Sequence, residues 1–150
     1  MTPAELAPGL PRSATDVGLR VVTAAALAVD AVIHVQLAAG YDNFAPAGIG
    51  MGNLFRIEAV VAVLVGLAVL WNGRRLAYAG AFAVALSAVA AVVLYRYVDV
   101  PAFGPVPAMY EPVWFTEKTL TAVAEGLATV TAALGYRRAK RLRYRPSTDT

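Results

Sequence analysis

Two runs of this chain, Ala59 to Asn72 and Leu76 to Tyr95, carry no charged residue and are dominated by Ala, Val and Leu. A helix that crosses the hydrocarbon core of a bilayer needs about 20 mostly apolar residues, at about 1.5 Å of rise each. Four segments meet that need: Val17–Ala39, Leu54–Trp71, Leu76–Tyr95 and Val113–Leu134. Composition agrees, with 59% apolar and 15% charged residues, against about 45–50% and about 25% in an ordinary soluble domain. The expected fold is all-α: an integral membrane four-helix up-and-down bundle over residues 13–136, with short turns joining antiparallel neighbours. A leader over residues 1–12, expected to be disordered, would precede it, and a basic tail over 137–150 would follow. The first segment is too long for a signal peptide, and Asp30 and His34 interrupt it, so it reads as a retained helix.

Basic residues orient the bundle. Arg12 and Arg20 precede or open the first segment, Arg74 and Arg75 occupy the turn "WNGRRL", and six Arg and Lys crowd residues 137–145. The connections "GYDNFAPAGIGMGN" and "VDVPAFGPVPAMYEP" hold acids and no Lys or Arg. Since Lys- and Arg-rich loops stay cytoplasmic, both termini are expected inside a cell membrane and two acidic loops outside. Tyr41, Phe44, Tyr97, Tyr110 and Trp114 would then form an outer aromatic belt. The basic tail suits anionic lipid, at about 1 kcal/mol per residue near the surface. So short a stretch on a membrane anchor argues against nucleic acid as a partner.

Local signals set the helix ends. "SATD" has the spacing of an N-cap with an acid three residues on. Asn72–Gly73 and Gly135 are expected to supply helix stops. Four prolines in the second outer loop exclude regular helix there, leaving either a rigid connection or a lid. Ala79, Ala83, Ser87 and Ala91 put small residues at every fourth position of the third helix. Such a row suits close helix packing, expected within the bundle, with a homo-oligomer contact as the alternative.

Polar groups inside the spans gather at mid-depth and above. Asp30 and Glu125 lie near the centres of helices one and four, with His34 and Thr121 one turn further out. Glu58, Glu117, Lys118, Arg56 and Arg96 lie further out again. A charge at the bilayer centre costs roughly 2.5–3.5 kcal/mol on insertion scales, so Asp30 and Glu125 should face the bundle interior or water. If they face each other, two like charges at low dielectric cannot comfortably both ionise. At about 100° per residue, Thr23, Asp30, His34 and Leu37 share one face, and Glu117, Thr121, Glu125 and Ala128 are expected to share another. The expectation is a polar funnel, open outside and closed below by apolar packing.

Several uses fit such a funnel. Arg56, Arg96 and Lys118 could offset Asp30, Glu58, Glu117 and Glu125 in a purely structural ion-pair network. His34 with Glu58, Glu117 or Asp30 resembles a His-and-carboxylate shell for zinc, iron or manganese, although the ligand count alone assigns no metal. His34 beside Asp30 could act as a general base, with Glu125 as a further catalytic carboxyl. Glu58, Arg96, Glu117, Lys118 and Thr121 would line a ligand pocket. The absence of cysteine excludes disulfides, iron–sulfur clusters and dithiol chemistry. A single histidine excludes bis-histidine haem, and no phosphate-binding Gly-rich loop is present. The bare inner half disfavours transport of protons or ions.

The stretch "IGMGNLFRIEAVVAVLVGLAVL", followed by a basic turn and an Ala-rich helix, resembles the middle of small DoxX-like four-helix membrane proteins. The resemblance covers the second and third helices, and Glu58 takes the position of a family-like glutamate. It implies an accessory or quinone-related role beside a redox-associated membrane complex. The expected function is therefore an accessory or ligand-binding subunit of a larger membrane complex, its cofactor unknown. The alternative is a small membrane enzyme that uses Asp30, His34, Glu58 and Glu125 for proton transfer, with or without a metal.

Overall fold

The first helix begins where the sequence caps it. Ser13 Oγ accepts from the Asp16 amide at 3.3 Å, the N-cap that "SATD" predicts, and donates to Asp16 Oδ2 at 2.7 Å. A computed structural model describes residues 13–42, 49–104 and 106–143. Among them run four helices: α1 (Ala14–Tyr41), α2 (Met51–Asn72), α3 (Arg75–Tyr97) and α4 (Thr116–Arg143). The leader, Phe44 and the last residues of the tail lie outside the described residues.

Antiparallel order follows from the contacts at each end. Arg20, early in α1, donates to the Asn72 carbonyl at the end of α2 at 3.0 Å. Arg75 at the start of α3 stacks its guanidinium 5.4 Å from the Tyr136 ring late in α4. Arg138 of α4 returns to α1, donating to Asp16 and, at 2.8 Å, to Ser13. Each helix packs on its two sequence or spatial neighbours, with α1 facing α3 and α2 facing α4 across the diagonals. This is the four-helix up-and-down arrangement that the segment lengths predict. The helices α1, α2 and α3 are long and apolar enough to cross a membrane. In α4 a central glutamate and five threonines dilute the apolar content.

The core is a seam of small residues. Ala59, Ala62, Gly66 and Val69 of α2 recur at steps of three and four, as do Ala124, Ala128 and Ala132 at steps of four on α4. Short side chains let the backbones approach, and Leu27 and Tyr78 fill the space between them. The small-residue row of α3 is not part of this seam. Its buried face is Tyr78, Ala81 and Ala85, while Ala83 and Ser87 are exposed. A strict every-fourth row advances about 40° per step, so it winds off the face that an alternating three-four pattern keeps buried.

The helix stops divide. Gly73 adopts a left-handed φ of 52°, its amide reaching back 2.9 Å to Val69 O, as a C-cap requires. Asn72 does not share that conformation and instead accepts from the Arg74 amide at 2.8 Å. Gly135 is no stop at all, because α4 runs on to Arg143 and converts the base of the expected tail into helix. Its role is steric: a Cβ there would stand 2.2 Å from Cε1 of the buried Tyr78 ring. Among its described residues the loop after α3 contains no helix, as its prolines demand. Antiparallel bridges Val100–Met109 and Phe103–Val106 fold it into a narrow ribbon. The Glu111 amide ties this ribbon to the Tyr95 carbonyl at 2.9 Å.

Candidate functional site

Alternating steps of four and three carry Thr23, Leu27, Asp30 and His34 along the inward face of α1, and all four are buried. On α4 the matching face is Lys118, Thr121, Glu125, Ala128 and Thr131. Asp30 is 1% exposed, Glu125 0% and His34 8%. Thr121 joins the two helices, donating to Asp30 Oδ1 at 2.7 Å with Glu125 Oε1 3.3 Å away. His34 Nδ1 lies 2.9 Å from Asp30 Oδ1 and 3.0 Å from the Asp30 carbonyl. Both neighbours are acceptors, so Nδ1 carries a proton and Nε2 is the ring atom left for other chemistry. Asp30, His34 and Glu125 offer donor atoms that all lie within 4.8 Å of one another. Two buried oxygens there, Asp30 Oδ2 and Glu125 Oε2, have no hydrogen-bond partner.

Above this cluster opens a cavity of about 380 Å³. It occupies the end of the bundle formed by late α1, early α2, late α3 and early α4, with the 98–115 connection beside it. Leu37, Phe55, Ala88, Val92 and Phe115 supply apolar wall, and His34, Glu58, Lys118 and Thr121 supply polar groups. The His34 ring meets Phe55 edge-on at 5.2 Å, which fixes the imidazole plane. Glu58 is half-buried, with Oε1 unpartnered. Beneath the cluster lies an apolar layer, Leu27 and Ala128, both fully buried. Below that, Thr23 donates to Thr131 at 2.9 Å.

The expected residues sort differently from the sequence reading at four places. Glu117 is exposed and belongs neither to the polar stripe nor to a metal shell with His34 and Glu58. Two successive steps of four rotate it off the inward face, and its neighbour Lys118 takes that place. Lys118 is buried, donates Nζ to the Glu111 carbonyl and lies 5.5 Å from the Trp114 ring. Arg56 is outside the network, binding Asp42 through two 2.7 Å hydrogen bonds on the exposed rim. There it holds the Asp42 carboxyl below the usual carboxylate range. Arg96 stacks 5.1 Å over Tyr97 and does not line the cavity. The expected charge-balanced network is therefore absent around Asp30 and Glu125: among the described residues Asp30 pairs with His34, and Glu125 forms no ion pair.

Sequence reasoning missed the cavity's aromatic wall. Tyr41, assigned to a belt, donates to Glu111 Oε2 at 3.2 Å and meets Phe55 edge-on at 5.0 Å. Its place one turn beyond Leu37 on the polar stripe is the signal that could have found it. No family model matches the chain, and no curated protein or solved structure matches it either.

Proposed function

We propose that this is a multi-pass cell-membrane protein, both termini cytoplasmic, whose outward cavity binds a small molecule with an apolar body and one hydrogen-bonding end. The observation that carries this reading is the cavity itself, apolar and aromatic along its walls and polar at its floor. Ligand sites are typically concave, about 300–1,000 Å³ in volume, and mostly apolar with a few convergent polar groups. The apolar layer under Asp30 and Glu125 supports a dead-end binding site over a transport path. The exposed residues of α4 support insertion of all four helices. Leu120, Val123, Leu127, Val130 and Leu134 line its outer side while Lys118, Thr121, Glu125 and Thr131 turn inward. Clustering of Arg20, Arg75 and Arg138 at the end opposite the cavity supports the orientation. That basic end would rest on anionic lipid.

An accessory or ligand-binding role in a larger, redox-associated membrane complex is the physiological setting that the DoxX-like texture of α2 and α3 suggests. Extraction in native lipid discs followed by small-molecule and protein mass spectrometry tests both parts. A specific molecule should leave with the wild type and not with Ala88→Trp, which fills the cavity from α3. Identical small-molecule content in both proteins would remove the binding reading. Failure to co-purify any larger membrane protein would remove the complex.

A second reading has its own support. Asp30 orients and polarises His34, as the third member of a catalytic relay does, and leaves Nε2 toward a bound substrate. In that case the chain is a small enzyme of proton transfer. His34→Gln would then keep the bound molecule and abolish its turnover, whereas a pure binder would show no turnover in either protein.

A further inference from the structure

We propose that Asp30, His34 and Glu125 bind one divalent first-row transition-metal cation at the floor of the cavity. The cluster has four carboxylate oxygens, and its donors are the Thr121 hydroxyl and the His34 ring. Thr121 has a single proton to give, and the 2.7 Å bond to Asp30 takes it. Asp30 Oδ2 and Glu125 Oε2 are left buried and unpartnered, an arrangement that costs free energy in a low-dielectric interior. Beyond His34, no basic side chain among the described residues reaches them. Arg56 binds Asp42, Lys118 binds the Glu111 carbonyl, and Arg138 binds Asp16. A cation between the donor atoms would satisfy both orphan oxygens and offset both carboxylates.

The donor set selects the kind of cation. One imidazole nitrogen with carboxylate oxygens suits zinc, manganese or iron(II), whereas magnesium and calcium prefer oxygen alone. Three protein ligands leave a position open, as in sites where a metal meets a ligand. The opening lies on the side of His34 and Thr121, both of which line the cavity. Thr121 fixes the two carboxylates from outside the ligand set, the supporting role that such sites depend on. The cation stands whether or not the cavity holds an organic molecule.

Zinc titration of the purified full chain in detergent, stripped by chelator and free of any histidine tag, tests the site. One equivalent should bind saturably. Asp30→Asn and Glu125→Gln should each weaken uptake by about 100-fold or more, and Thr121→Val by about tenfold. Glu117→Gln, on the exposed face, should leave it unchanged. Because the chain has one histidine, X-ray absorption of the zinc-loaded wild type should report a single imidazole among oxygen neighbours. That measurement needs no variant to fold. A wild type that takes up no zinc, or a spectrum without imidazole, overturns the site. Ala88→Trp should keep its zinc, so loss of the organic molecule and loss of the metal remain separate results.

Discussion

The Thr121 hydroxyl donates a 2.7 Å hydrogen bond to Asp30 Oδ1, joining α4 to α1 at the level where both helices are most polar. Both residues are buried, so no water replaces the bond if the donor goes. Thr121→Val keeps the shape and removes the proton. It should cost about 1–2 kcal/mol, the range for a buried bond to a carboxylate offset by the smaller values measured inside membranes. Thr121→Ser keeps the donor and should retain most of the stability. Thermal unfolding in detergent distinguishes them, and equal losses in the two variants would mean that packing of the methyl group, not the bond, matters there.

Gly135 and Tyr78 give a steric counterpart at the opposite end. The missing Cβ makes room for the Tyr78 ring, and Gly135→Ala would push a methyl to 2.2 Å from it. Overpacking of this kind costs about 1–3 kcal/mol. In a Tyr78→Ala background the same change should cost much less, since the clash has gone. A double-mutant cycle of unfolding free energies reads the coupling directly. Additive effects would show that the helix interior itself, and not the ring, penalises the substitution.

Orientation is open to a clean test because the chain has no cysteine. Asp99→Cys lies in the exposed connection after α3 and Lys140→Cys near the exposed end of α4. In intact cells, a membrane-impermeant maleimide should label the first and reach the second only after permeabilisation. The reverse pattern would invert the protein, and labelling of both in intact cells would remove the topology.

The ion pair between Arg56 and Asp42 predicts a null effect of a useful kind. Arg56 holds the Asp42 carboxyl below its ordinary range. Whatever stability that adds is present above the unfolded carboxylate's pKa and lost as pH falls through the lowered folded value. Both groups are on the exposed rim, where solvent and salt screen the pair. Arg56→Gln should therefore leave the unfolding temperature nearly unchanged at neutral and acidic pH. A large loss at neutral pH would return Arg56 to the central network from which its geometry removes it.

What could be read without coordinates follows from period and cost. Long uncharged runs specify helices, and the expense of Asp30 in an apolar run specifies that it points inward; both inferences need only local pattern. Glu117 and Lys118 mark where pattern runs out. They are adjacent on a helix whose face is defined by a three-four alternation, and a one-residue choice of register decides which of them is buried. Gly135 fails for a different reason: its role is set by a ring 57 positions earlier in the chain, and no local signal separates a packing glycine from a terminating one. The cavity's aromatic wall was illegible for the same reason, since Tyr41, Phe55 and Phe115 line one space only when four helix ends meet.

Leu27 is the remaining test of what the polar floor does. On α1 it stands between Asp30 above and Thr23 below, and Ala128 faces the same layer from α4, both with no exposure. Asp30 and Thr23 are about 10 Å apart along the helix axis, at about 1.5 Å per residue, too far for one hydrogen bond and close enough for two waters. The apolar layer thus separates the cavity from the Thr23–Thr131 pair. Leu27→Ala should destabilise the bundle by about 2–5 kcal/mol through lost packing while staying dry. Leu27→Asn adds a polar group that can hold water against both layers. Proteoliposomes carrying wild-type protein or Leu27→Ala should hold an imposed pH gradient, and those carrying Leu27→Asn should lose it faster. Rapid collapse of the gradient with the wild type would mean that protons already pass Leu27, and the closed floor on which the binding reading depends would have to be abandoned.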